Sequence, residues 1–496
     1  MIPLVVVENP KRWPFHLKGV EVVSAKSYLV DRRFSELRRA AVYNLCRSYG
    51  YQTVGYYVSL LAAARGHRPL PSVGTLQSLG ENVLVKIVSD ELEELIQKGL
   101  SRLRSDEFRL SIYFGRNVAD RYERLSRALF NEFPAPLLTA RFARSHNGGP
   151  QPGPWRLVSV RPLGTSEIPD GHREFVLEQA QRHFVRPSRI REPRAYRYEV
   201  AILWREDDER APSNERAIRR FTRAFQKQGM DVDVVGPDDY ARIAEFDALF
   251  IRETTLVEHH TYRFARRALR EGLVVLDHPE AIIRSTNKVY QAELFERHGI
   301  PCPRTLVVHE ANVDDVVPAV GLPLVLKKPD GSFSQGVAKV ESESELRASL
   351  PALFSESELV VAQEWTPSSF DWRVGILDRK PLWVCRYHMA PGHWQIVDNE
   401  GKGTRYGRVE PVALEDAPPG IVELALQAAW RFGDGLFGVD IKEIEGRGPL
   451  VMEVNDNPNV DAGQEDALEK DRIYDAVARW FRERLDARGV EGDRSD

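Results

Sequence analysis

The chain has 496 residues, 42% hydrophobic and 29% charged, a globular composition spread over more length than one ordinary core needs, so two or three domains are expected. Its 69 basic and 73 acidic side chains leave a formal net charge of −4, which excludes a global pull toward nucleic acid or an anionic membrane. The longest apolar run, VGYYVSLLAAA, is shorter than the roughly 20 residues of a membrane span. The opening MIPLVVVENPK lacks the basic segment of a secretory leader, so a cytoplasmic protein without a membrane partner is expected. Cys46, Cys302 and Cys385 are too few and too scattered for a disulfide framework or a zinc cluster.

Residues 1–150 mix β-rich runs (PLVVVE, EVVSAKSYLV, FRLSIYF) with helical patterns (SELRRAAVYNLCRSYG, VSLLAAARG, DELEELIQKGLSRL). This predicts an N-terminal α/β domain. The stretch SHNGGPQPGPW is dense in Gly and Pro, so a boundary is placed there and 151–195 is read as a linker region. Six arginines from Arg182 to Arg197 read as a solvated part of that linker, because no nucleic-acid motif accompanies them. From Tyr196 the strand YEVAILW, the helix ERAIRRFTRAFQKQG, the strands VDVV and DALFIRE, the helix TYRFARRALREG and the strand LVVLD alternate. They predict a small sheet domain over 196–280 with helices on its faces.

The chemistry lies in the remainder. G-x-x-x-x-G-K-[ST] is absent, which excludes a P-loop. GDGLFG, Gly433 to Gly438, follows a helical pattern and precedes a strand; a dinucleotide fingerprint needs the reverse order, so this is read as a turn. In PLVLKKPDGSFSQGV a strand delivers Lys327 to a loop containing Gly331, Ser332, Ser334 and Gly336. Such a loop brings backbone N–H groups and hydroxyls to an anion; alone, the segment slightly favours a hairpin with a surface lysine. Upstream, Lys288 opens a helix that Gly299 ends. Downstream, VVAQEW, DWRVGIL, WVCRY and FGVDIKEIEGRGPLVMEVNDNPN follow in order.

Taken together, PLVLK, DGSFSQGV, GVDI and GPLVMEVN resemble an ATP-grasp module, and the run over about 280–480 is most similar to RimK-type ligases, which add glutamate to protein or peptide carboxylates. The resemblance implies a two-lobed ATP-grasp domain over 281–485 with α+β lobes. It also implies a pre-ATP-grasp domain over 196–280 and, at 1–150, the domain that precedes some RimK-like modules. By the same resemblance Lys288 and Lys327 neutralise the nucleotide phosphates, and Gln363, Glu364 and Trp365 form the inter-lobe hinge that contacts adenine. Asp440, Glu453 and Asn455 lie on two strands joined by the turn EGRG, and their oxygens suit Mg²⁺, with Mn²⁺ as an acceptable substitute. Arg373 and Arg386, on strands joined by DRK, stand at positions that face the γ-phosphate or an acyl phosphate, a task fitted to guanidinium groups.

No catalytic Ser, Cys or His is required, since phosphoryl transfer asks mainly for positioning and charge neutralisation. The expected substrates are a small-molecule or peptide carboxylate and an amino-acid or amine acceptor, and a homo-oligomer is compatible with the composition. The segment from Tyr387 to Arg408, with His388, His393, Trp394, Lys402 and Arg405, borders the substrate by resemblance but departs from the RimK pattern, as does NDNPN, where Ser-Pro-Gly is usual. Arg252 is read either as a carboxylate-holding residue or as a salt-bridge partner. A small-molecule kinase and a nucleotide-sensing binding protein are the alternative functions on the same scaffold.

Overall fold

The computed structural model describes residues 2–13, 20–37, 40–80, 82–145, 153–184, 196–208, 210–330, 337–398 and 405–491. The chain divides into two compact units, Met1–Arg194 with Tyr240–Glu245, and Ala195–Asp239 with Phe246–Asp496.

The first unit begins with strands β1 (Ile2–Val7), β2 (Glu21–Ser24), β3 (Ala40–Asn44) and β4 (Arg68–Leu70), a wholly parallel sheet in the order β2-β1-β3-β4. Leu4, Val5, Val6 and Val7 of β1 are all buried, as expected of a parallel strand covered on both faces. Strand β3 corrects the helix expected from SELRRAAVYNLCRSYG: a short apolar run buried on both sides carries no period that separates strand from helix. An antiparallel sheet follows, β5 (Glu107–Tyr113), β6 (Leu137–Arg144) and β7 (Trp155–Pro162), in the order β5-β6-β7. Strand β7 and the helix Arg173–Phe184 replace the linker reading over 155–184; residues 185–195 lie outside the described residues. Gly and Pro mark the connection between β6 and β7, and Trp155, Leu157 and Val160 beyond it are core residues.

The second unit opens with β8 (Tyr198–Leu203), β9 (Met230–Val235), β10 (Ala248–Ile251) and β11 (Val274–Leu276), a parallel sheet ordered β11-β10-β8-β9. Strands β12 (Thr305–Val308), β13 (Leu324–Lys327), β14 (Val337–Val340) and β15 (Val360–Glu364) form an antiparallel sheet ordered β12-β15-β13-β14. Next come β16 (Phe370–Leu377) and β17 (Lys380–His388), the short pair β18 (Val397–Asp398) and β19 (Arg405–Tyr406), and then β20 (Val409–Val412), β21 (Leu436–Ile444) and β22 (Gly448–Asp456). The large sheet runs β20-β17-β16-β21-β22, and the helix Pro419–Ala429 packs its apolar face, Ile421, Leu424 and Ala428, on it.

The predicted division at residue 280 is not a gap in packing. One core joins Val200, Phe221 and Phe250 to Trp383, Leu436 and Phe481, and the last helix, Asp471–Glu491, lies against Glu215–Lys227, with Phe225 and Phe481 ring centroids 5.3 Å apart. GDGLFG connects the helix Pro419–Ala429 to β21, with Gly433 at φ +137°, a turn as the motif order requires. No helix of the described residues is long and apolar enough to cross a membrane.

Candidate active site

Strands β21 and β22 form a hairpin closed by the turn Glu445–Gly448, where Gly446 and Gly448 have φ of +76° and +79°, a conformation other residues adopt at a cost. Asp440 lies opposite Glu453, and Asn455 is two residues beyond Glu453, so all three side chains share a face. Asn455 Nδ2 donates to Asp440 Oδ2 at 3.1 Å. On the neighbouring strand β16, Arg373 is the register partner of Asp440. Its Nε and Nη2 donate to the two carboxylate oxygens at 2.6 and 2.7 Å, and its guanidinium carbon sits 4.5 Å from the Tyr387 ring centroid. Burial works against the charged guanidinium, but Asp440 outweighs it and holds Arg373 firmly protonated.

Lys288 starts the helix Lys288–Arg297, whose Asn287 cap accepts from the Tyr290 N–H. Its Nζ lies 3.0 Å from Glu453 Oε1. Lys327, the last residue of β13, donates from Nζ to Gln363 Oε1 at 2.7 Å. Burial lowers its ammonium to about 8, with Glu453 opposing the shift and Lys288 and Lys442 adding to it. These residues line one cavity of about 320 Å³, together with Gln363, Glu364, Trp365, Arg373, Asp440, Glu453 and Asn455.

The hinge differs in detail from expectation. The Glu364 carboxylate is held by Arg304, at 2.8 Å, and by Arg447. Burial pushes it up, yet the two arginines keep it below the usual carboxylate range. Its N–H donates to Arg304 O, and that of Trp365 to Pro323 O. The hinge therefore offers the cavity the Gln363 amide, the Trp365 ring and Thr366 rather than those two backbone donors. Trp365 packs edge-on to Trp394, with centroids 4.8 Å apart.

Arg386 is the correction at this site. It pairs across the sheet with Trp372, not Arg373, and so points to the opposite face. Its guanidinium carbon stands 4.7 Å from the Trp372 ring centroid and 5.2 Å from that of Phe370, and Nη1 reaches Glu410 at 3.3 Å. Tyr387, one residue on, is the side chain that β17 turns into the cavity. Arg252 is fully buried, bonded to Asn457 Oδ1, Ser213 Oγ and the carbonyls of Pro212 and Pro458. It clamps the chain where it leaves β22, and neither sequence reading of it holds. His388 bonds Glu410, while Trp394 lines the cavity. Gly331, Ser332, Ser334, Gly336 and Lys402 lie outside the described residues.

Lys442 and Asp371 are among the cavity residues missed in the sequence. Lys442 donates to Ser368 Oγ at 2.7 Å and lies 3.0 Å from Asp371 Oδ1. Each stands two residues from a recognised one, Asp440 or Arg373, and strand alternation alone puts them on the same face. For a divalent cation the donor set fits: two carboxylates and a carboxamide, hard oxygen ligands on one rigid hairpin. Among the described residues no group of three or more His, Cys, Asp and Glu could hold a metal ion, so an ion here would complete its shell with water or phosphate oxygens.

Residues 25–179 match the RimK-like ATP-grasp N-terminal domain and residues 285–471 the RimK-like ATP-grasp domain. The chain is 26% identical over 274 residues to a probable alpha-L-glutamate ligase 1 of Shewanella amazonensis, covering 51% of this chain and 88% of that protein. It is 29% identical over 244 residues to a probable alpha-L-glutamate ligase of Vibrio vulnificus, covering 48% and 78%. Among solved structures it is similar to a RimK domain ATP-grasp protein of Sphaerobacter thermophilus (18% identity, TM-score 0.43, 57% of this chain and 98% of that one). It is also similar to a D-alanine–D-alanine ligase of Bacillus anthracis (14%, 0.46, 60% and 99%).

Proposed function

Because the chain belongs to the RimK-like ATP-grasp ligases, ATP-dependent enzymes that form amide bonds, we propose that its second unit activates a carboxylate as an acyl phosphate and joins it to the amine of an amino acid, glutamate foremost. The observation that carries this reading is the convergence of Lys288, Lys327 and Arg373 with Asp440, Glu453 and Asn455 on one cavity. A carboxylate resists amines because its leaving group would be oxide. In the proposed sequence a carboxylate oxygen attacks the γ-phosphorus and ADP leaves. The amine nitrogen then attacks the acyl carbon, phosphate departs with the former carboxylate oxygen, and the nitrogen loses a proton.

Lys288 and Lys327 hold the phosphate oxygens, and Arg373 neutralises charge on the transferring group. Asp440, Glu453 and Asn455 would hold Mg²⁺, which supplies further neutralisation of the phosphate oxygens. Gln363, Trp365 and Thr366 border the nucleobase. The phosphate loop with Gly331, Ser332, Ser334 and Gly336 is assigned to this site from sequence resemblance alone.

The test incubates the protein with ATP, Mg²⁺ and glutamate against a panel of carboxylic acids and short peptides. ADP release that requires the acid, an acyl hydroxamate when hydroxylamine replaces the amine, and a mass adduct of acid plus amino acid are expected. AMP as the nucleotide product, or a stable phosphoester without amide, overturns the reading.

A further inference from the structure

The carboxylates assigned to the metal are both already paired. Arg373 grips both oxygens of Asp440 at 2.6 and 2.7 Å, and Lys288 lies 3.0 Å from Glu453 Oε1. Asn455 turns its amide nitrogen, not its oxygen, toward Asp440. The cations that occupy these ligands are those that the proposed function assigns to the phosphates. The wider cavity agrees: the five cationic side chains that line it (Lys288, Lys327, Arg373, Lys442 and Arg210) balance its five carboxylates (Glu364, Asp371, Asp440, Glu453 and Asp456). A divalent ion entering alone would meet a cavity with no excess of negative charge and would have to displace two ion pairs.

From these pairings we infer that Arg373 and Lys288 act as internal counter-cations that close the metal ligands to a free divalent ion, so that metal binds there only together with the nucleotide. This rests on the metal assignment made above and adds the order of binding to it. The triphosphate supplies what the cavity lacks. Its oxygens accept the two displaced cations and complete the coordination of an ion that has only two protein carboxylates. Arg373 has a seat that survives the exchange: its guanidinium stacks on Tyr387, whose hydroxyl is hydrogen-bonded to the buried Glu465. Losing Asp440 to a metal therefore leaves Arg373 anchored at the cavity wall and facing the phosphates.

The test titrates Mn²⁺ into the full chain without nucleotide, following loss of the free-ion electron paramagnetic resonance signal, and repeats the titration with a non-hydrolysable ATP analogue, following water-proton relaxation. Wild type is expected to bind Mn²⁺ at least about tenfold more weakly without the analogue than with it. Arg373→Met and Lys288→Met each free one carboxylate and are expected to strengthen nucleotide-free Mn²⁺ binding by about tenfold, whereas Arg373→Lys, which keeps the charge, stays near wild type. Thermal melts establish that each variant is folded, and two independent variants keep the test open should one fail. Tight nucleotide-free binding by wild type, or folded variants that bind no better, overturns the inference. Absence of Mn²⁺ binding even with the analogue instead overturns the metal assignment beneath it.

Discussion

Lys327 shows how burial sets the behaviour of a single residue. Its ammonium is lowered from 10.5 to about 8 by loss of water, with Lys288 and Lys442 adding to the shift and Glu453 opposing it. A triphosphate prefers the protonated form, so nucleotide affinity is expected to be full below about pH 8 and to fall by up to about tenfold per unit above it. Lys327→Arg keeps its charge throughout and should abolish that alkaline limb, as nucleotide dissociation constants from about pH 7 to about pH 10 would show. For stability the sign is opposite: between the folded value near 8 and the unfolded value of 10.5 the unfolded chain binds more protons, so this residue's contribution to stability rises with pH there. The two arginines separate at the same scale. Arg373→Met should reduce ligation by at least about a hundredfold, as expected when a group that stabilises transition-state charge is lost. Arg386→Met should leave turnover within about threefold and cost about 1 kcal/mol through its contacts with Trp372 and Phe370. Steady-state rates together with melting temperatures check both. Sequence placed both arginines by motif position, but which face a strand residue takes follows from register, and a one-residue difference between the strands moved Arg386 out of the site.

At the scale of elements, the site depends on how closely β16 and β17 approach. A Cβ on Gly375 would lie 2.2 Å from atoms of the Trp383 ring, and that indole is almost fully buried in the core shared by the two sheets. Gly375 is therefore required by contact, not by backbone angle. Gly375→Ala is expected to destabilise the unit by about 1–3 kcal/mol through overpacking and to weaken nucleotide binding as well, because Arg373 is two residues away on the same strand. Chemical denaturation and a nucleotide titration would measure the two effects; unchanged stability would show that Trp383 can move aside. The hairpin of β21 and β22 was legible in sequence because its signals are local: two apolar runs, a glycine-bearing turn, and side chains of the motif at alternate positions. Strand β3 and strand β7 were not. The first is buried on both faces and has no alternation to read, and the second follows a Gly- and Pro-rich connection that resembles a domain linker.

At the scale of the second unit, the final helix has a role that no local pattern reveals. Residues of Asp471–Glu491 reach the sheet of β8 to β11 across roughly half the chain: Tyr198 Oη donates to Asp486 Oδ1 at 2.7 Å, and the Phe250 and Phe481 ring centroids lie 5.7 Å apart. Sequence order placed this helix in the ATP-grasp domain, and its amphipathic face gave no indication of which sheet it covers, since partners so distant in sequence are chosen only by the tertiary fold. Ile473, Tyr474, Val477, Phe481 and Leu485 are all buried, and at about 1.5–3 kcal/mol for each buried side chain the helix contributes on the order of 10 kcal/mol. That equals the whole stability of many domains, about 5–15 kcal/mol. Ending the chain before Asp471 is thus expected to abolish cooperative unfolding of this unit and with it nucleotide binding, although none of the proposed site residues is removed. Phe481→Ala is the graded version. It should cost about 3–5 kcal/mol, lower the melting temperature, and leave nucleotide affinity intact in whatever fraction remains folded. A truncated chain that melts like the full one would mean that the sheet of β8 to β11 is held by its own helices and by the ATP-grasp core alone.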